Sequence, residues 1–407
     1  MQARIKSVPH GWQFTYVGKA FCIRNNLRKP ISEEERSMSP GNYPYYGPTK
    51  IQGYIGTFEQ DGSYALIGED GDHFLKFEKH SMTQLVDGKC TVNNHAHIIE
   101  GTKEASREWF YYYFMHRDIF SFLSRQGAGR YKLNKASLEK MPLLLPPIVE
   151  QKKIAQILST WDKAISVTEK LLANSQQQKK ALMQQLLTGK KRLLDENGTR
   201  FSETWKLYAL SKLFQRVTTK NNGKSNNVVT ISGQHGLIKQ EDFFKKTVAS
   251  DTLDGYFLLK KGQFAYNKSY SNGYPMGAIK RLNRYPEGVV TTLYICFELT
   301  TPKKSCGDYW EHYFESGLLN NSLSQIAHEG GRAHGLLNVK PSDFFSLKVA
   351  VPGFEEQQKI ASVLSAADTE ISTLEKKLAC LKDEKKALMQ QLLTGKRRVK
   401  VDEAVAV

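Results

Sequence analysis

The sequence predicts an α+β chain built as a tandem repeat: a globular module, a long helix, a second module and a second long helix. Three observations carry this reading. First, Lys179–Lys190 and Lys385–Lys396 both spell KKALMQQLLTGK, 206 positions apart. Glu150-Gln151, Lys153-Ile154-Ala155, Leu158-Ser159, Asp162, Ile165-Ser166, Glu169-Lys170 and Leu172-Ala173 recur at the same offset, so the chain is an internal duplication. Second, the stretches ending in this motif lack Gly and Pro, and their apolar residues recur in alternating steps of four and three, as in a coiled coil. Third, the segments before them mix short aromatic-rich runs with Gly/Pro turns, the pattern of strands.

Taken in order, residues 1–145 form the first module. Trp12–Val17 opens it, and Pro40–Pro48 reads as turn chemistry. Short strands are expected near Ile51–Ile55, Tyr64–Ile67 and His95–Ile99, and a helix over Glu104–Leu123. The aromatic stripe 109–114 on that helix reads as core. Residues 146–192 carry the first coiled-coil helix, with Ile154, Leu158, Trp161, Ile165, Leu172, Leu182 and Leu186 on its seam. At 1.5 Å per residue it is roughly 58 Å long. Glu150 and Glu356 in the first turns and the basic residues after Gly189 and Gly395 complement the helix dipoles.

Residues 193–351 restart the programme, with Trp205–Phe214 aligning without a gap to Trp12–Phe21. Strands are expected at Val228–Ser232, Gln263–Tyr266 and Val289–Phe297, and a helix over Tyr309–Ala327. Residues 352–398 form the second helix, with seam positions Ile360, Leu364, Ile371, Leu374, Leu378, Leu381, Leu388 and Leu392. A tail follows at 399–407. Two repeats in one chain give a pseudo-twofold arrangement, with equivalent surfaces for two copies of a partner. The helices repeat closely while the modules diverge, so the helices form a shared frame and the modules do different things.

A share of 40% hydrophobic and 24% charged residues is that of a soluble globular chain, and 407 residues suit two or three domains. No apolar run is long enough to span a bilayer and no signal-peptide pattern is read, so the expected location is the cytoplasm. Five scattered cysteines without a C-x-x-C pair fit a reducing compartment. The formal charge of +17 is spread over both halves and points to a polyanionic partner.

Motifs for catalysis are missing: no phosphate-binding loop, no nucleophile elbow, no H-E-x-x-H. Asn42-Tyr-Pro-Tyr45 differs at its second position from the Asn-Pro-Pro-Tyr of amino-methylating enzymes and reads as a turn. His95-Ala-His97 lacks further ligands at metal spacing, so no metal site is expected. Asp61, Glu69, Asp70 and Asp72 sit among glycines and read as turn and surface residues. What remains suits nucleic acid. Glycine-flanked loops carry Tyr45, Tyr46, Thr49, Lys50, Arg125, Arg130, Tyr131 and Lys132 in the first module. In the second they carry Asn267, Lys268, Ser269, Tyr270, Ser271, Tyr274, Arg332 and His334. Cationic side chains serve phosphates or guanine edges, Asn serves adenine, and hydroxyls serve either.

Several motifs resemble the DNA-specificity (S) subunit of type I restriction–modification systems. They include Leu145-Pro-Pro-Ile-Val-Glu-Gln151 and its counterpart Val351-Pro-Gly-Phe-Glu-Glu-Gln357, and the endings LLTGKKR and LLTGKRR. Tyr45–Tyr54, Leu66–Gly71 and Gly262–Ser269 also resemble the family. Gly353 replaces the second proline of the repeat, and Trp161 is bulkier than Ala367, its counterpart in the other copy. The resemblance spans essentially the whole chain. It implies two target-recognition domains at the ends of an antiparallel helix pair, each reading half of a bipartite, asymmetric site in double-stranded DNA. It also implies a chain without catalysis of its own and with no bound cofactor. Two modification (DNA adenine methyltransferase) subunits and two restriction (translocase/nuclease) subunits are the implied partners, and S-adenosylmethionine, ATP and magnesium belong to them. Lys179 and Lys385 are poor seam residues, so KKALMQQLL is expected to mark where the helix pair opens toward a domain or partner.

Overall fold

The computed structural model describes residues 7–126, 130–244, 252–329 and 337–401. The chain divides into two compact units, 1–169 with 377–407, and 170–376. Each unit holds one module, the first part of a helix or its continuation, and the far end of the other helix. The helices are Ile148–Leu186 and Phe354–Leu392, each 39 residues long.

In the first unit a six-stranded sheet runs in the order Cys22–Ile23, Ala96–Glu100, Gln60–Gly68, Thr83–Val92, Pro40–Tyr46 and Ile51–Ile55. The helix Arg107–Phe114 packs on it with Trp109, Phe110, Tyr112, Tyr113 and Phe114 all buried. In the second unit a four-stranded sheet runs Phe214–Arg216, Ile295–Leu299, Phe264–Asn267 and Ala278–Arg281, beneath the helix Gly307–Glu315. The pairings superpose in logic. Ile67 faces His97 as Tyr266 faces Ile295, and Ile23 faces Ile99 as Arg216 faces Phe297. Each module closes with a two-stranded ribbon, Gln13–Tyr16 with Pro142–Leu145, and Lys206–Ala209 with Lys348–Val351.

Four expectations fail locally. Pro40–Tyr46 is a strand, not a turn; register shifts around Tyr43 and Tyr45 accommodate its prolines. Glu104–Leu123 is helical only to Phe114, and Tyr309–Ala327 is two helices parted at Gly317, whose φ of +75° ends the first. Val289–Phe297 is also two strands, Glu287–Val290 and Ile295–Leu299.

The duplicated motif Pro-x-x-x-x-Gln fastens each helix to its module. Gln151 accepts from Ser106 N at 2.8 Å and donates to Pro146 O and Glu104 O at 2.7 Å. Gln357 accepts from Cys306 N and donates to Pro352 O, both at 3.0 Å. Both glutamines are buried, so their amides would be costly without these partners. The neighbouring glutamates form a second repeated fastening. Glu150 accepts from Trp12 Nε1 at 3.0 Å and from Arg398 at 2.7 and 2.8 Å. Glu356 accepts from Trp205 Nε1 at 3.0 Å and from Arg192 at 2.6 and 2.7 Å.

Within each unit the two helices run antiparallel. In the first, Lys385 pairs with Asp162 and Lys382 with Glu169; in the second, Lys179 pairs with Asp368 and Ser175 with Glu370. Of the expected seam residues, Trp161, Ile165, Leu172, Ile371, Leu374, Leu378 and Leu381 are half-buried in mid-helix. Ile154 and Leu158 instead enter the core of the first module beside Met389, Leu392 and Leu393, and Leu388 packs on it. Ile360 and Leu364 enter the second core beside Met183, Leu186 and Leu187, and Leu182 packs on it. KKALMQQLL therefore leaves the seam to become module core, and its lysine meets an aspartate of the opposite helix at that exit.

Candidate nucleic-acid interface

The first module gathers three loops beyond the end of its central strand. The turn 47–50 is closed by Gly47 N donating to Lys50 O at 2.9 Å and held by Gln84 Nε2 donating to Gly47 O at 2.9 Å. A Cβ on Gly68 would lie 3.2 Å from Pro48 O and would collide with His73, so only glycine lets the strand end pass that turn. On its other side the loop meets the hairpin Ser124–Gln126 with Arg130–Lys132. Gly71 N donates to Tyr131 O at 3.1 Å and Leu133 N to Glu69 O at 2.7 Å.

Thr49, Lys50, Arg125 and Arg130 are exposed on loops that flank this one strand end, and none of these cations has an acidic partner among the described residues. Other expected contacts fall away. Tyr45 is 2% exposed; its hydroxyl accepts from Ile31 N at 2.9 Å and Arg36 covers its ring, so it is core. Tyr46 is half-buried against Cys90 and Val92. Lys132 lies 3.3 Å from Glu69. Glu69 is not the surface residue expected: Arg28 also pairs with it, and His97 Nε2 lies 3.8 Å away. Burial would raise the Glu69 pKa, but Arg28 and Lys132 bring it below the usual carboxylate range.

The two histidines do not share a site. His95 pairs with Asp70 at 2.8 Å, outside the strand. His97 is buried, with Nε2 donating to Leu133 O at 2.7 Å, which leaves Nδ1 to accept from Asn25 Nδ2 at 2.8 Å. Burial lowers its pKa and fixes the neutral ring. Among the described residues no group of three or more His, Cys, Asp or Glu is placed to hold a metal.

In the second module the same strand end carries Asn267, Lys268 and Ser269, with Asn267 Oδ1 accepting from Ser269 N at 3.1 Å. Tyr270 is 63% exposed and Ser271 is exposed. Ser271 and Tyr274 close a tight turn through paired backbone bonds of 2.8 and 3.3 Å. Tyr274 is only half-exposed. Its hydroxyl donates to Glu315 and accepts from Lys280 Nζ at 2.8 Å, so it braces the turn. Arg332 and His334 lie outside the described residues.

A family described as the type I restriction modification DNA specificity domain matches residues 9–174. A Haemophilus influenzae chain named a type I restriction enzyme specificity subunit is 38% identical over 136 residues, 33% of this chain and 34% of that one. The MjaVIII specificity subunit of Methanocaldococcus jannaschii is 24% identical over 422 residues, 97% of this chain and 94% of that one. The MjaX specificity subunit from the same organism is 23% identical over 98% of this chain and 96% of its own. The chain is thus similar over nearly its whole length to specificity subunits of type I restriction–modification systems.

A specificity subunit is the DNA target-recognition component of its restriction–modification complex and not its catalytic chain. The solved S subunit of the type I system from M. genitalium shares the fold, with a TM-score of 0.61 at 14% identity over 97% of this chain and 98% of that one. No helix among the described residues is long and apolar enough to cross a membrane. Two features of this chain lie outside the pattern expected from its sequence. The Arg28–Glu69–Lys132 cluster joins three distant segments and leaves no spacing signal. The Trp–Glu–Arg fastenings did leave one, since each member occurs in both copies.

Proposed function

We propose that each module reads one half of a bipartite, asymmetric site in double-stranded DNA, through the loops beyond its central strand. One observation carries this reading. Two modules share a strand frame and a hairpin at its end, yet set different polar side chains there: Thr49, Lys50, Arg125 and Arg130 in one, Ser269, Tyr270 and Ser271 in the other. Cations without acidic partners suit phosphates, and hydroxyls and amides suit base edges. The chain's repeated fastenings give two equivalent surfaces, which suits two copies of a DNA adenine methyltransferase subunit, with two translocase/nuclease subunits completing the complex. S-adenosylmethionine, ATP and magnesium then serve those partners, and the assembly acts in the cytoplasm, where its DNA lies.

The test is a module exchange. Residues 1–145 are replaced by the corresponding module of a relative, and methylated adenines are mapped in a host carrying the whole complex. One half of the recognised site changes and the other stays. A change in both halves sinks the modular reading.

A further inference from the structure

We propose that Lys268, just past the central strand of the second module, seats a DNA backbone phosphate, a role that Glu69 at the corresponding position of the first module cannot take. The inference rests on the reading of both modules as DNA-binding. The two positions correspond through the backbone. Glu69 O accepts from Leu133 N at 2.7 Å, and Lys268 O accepts from Leu337 N at 2.9 Å. Each follows a strand whose penultimate residue is Ile67, paired with His97, or Tyr266, paired with Ile295. Duplication has thus left a carboxylate and an ammonium at one structural address.

Their surroundings are opposite as well. The Glu69 carboxylate is held by Arg28 and Lys132 with His97 behind it, so its charge and theirs are spent inside the module. Lys268 is half-buried and has no carboxylate partner among the described residues. Its named charged neighbour is another cation, Arg216, and burial and that neighbour both lower its pKa. A partly desolvated ammonium beside a second cation is stabilised by an anion arriving from outside. Lysine is a compact point charge that suits a phosphate rather than the forked geometry of a base edge. The DNA backbone is the anion that a target-recognition loop meets.

The experiment uses the full chain with its modification partner, titrated against one fixed mixed-sequence duplex over a range of salt. Lys268→Gln removes one phosphate neutralisation, so the slope of log affinity against log salt shrinks by about 0.9. Lys268→Arg keeps the slope. Glu69→Gln releases Arg28 and Lys132 and steepens it. Thermal melts of each variant establish that it is folded. An unchanged slope in a folded Lys268→Gln overturns the assignment. So does a shallower slope in Glu69→Gln. If the unmodified complex shows no salt-dependent binding at all, it is the DNA-binding reading that falls.

Discussion

Glu150 shows how much one buried side chain can hold. Its carboxylate is the shared acceptor for Trp12 at the start of the chain and Arg398 near its end, at a position only 3% exposed. Glu150→Ala leaves the buried Trp12 indole N–H and a half-exposed guanidinium without their acceptor, and the unmet buried donor alone costs about 1–3 kcal/mol. Arg398→Ala costs less, because that side chain is 43% exposed and solvent takes over part of its role. Urea denaturation of the two variants checks the order. Tyr45 makes the complementary point. Aromatic, flanked by loop residues and close to glycine, it had every mark of a contact residue, yet its ring fills the core.

At the scale of elements, the helix ends decide more than the helix middles. Gly189 and Gly395 both take φ of +70° past their helices, where a side chain costs roughly 1–2 kcal/mol. Their surroundings differ. A Cβ on Gly395 would run into the Pro9 ring, whereas one on Gly189 would rest 3.4 Å from Trp205. Gly395→Ala is therefore expected to lower the melting temperature more than Gly189→Ala, and a thermal melt of the pair decides it. The heptad pattern located both helices correctly, but it assigned Ile154, Leu158, Ile360 and Leu364 to a seam when they serve the module cores. Periodicity reports that a face is buried; it does not report what buries it.

At the scale of the whole chain, two unbroken 39-residue helices carry the sequence from one unit into the other. If these helices set the spacing between two DNA readers, deleting one heptad from each changes the unspecified gap in the recognised site and leaves both half-sites alone. Mapping methylated adenines in a host expressing the shortened chain checks this, and an unchanged gap removes the spacer role. By itself the sequence determined the duplication, the long helices and the lack of catalytic motifs, because identity at a fixed offset and apolar periodicity are local records. The antiparallel pairing inside each unit, the core role of Tyr45 and the opposite fates of Glu69 and Lys268 were decided only by tertiary structure. Burial and charge pairing depend on segments far apart in the chain, such as Arg28, Glu69 and Lys132, and no local pattern encodes which of them will meet.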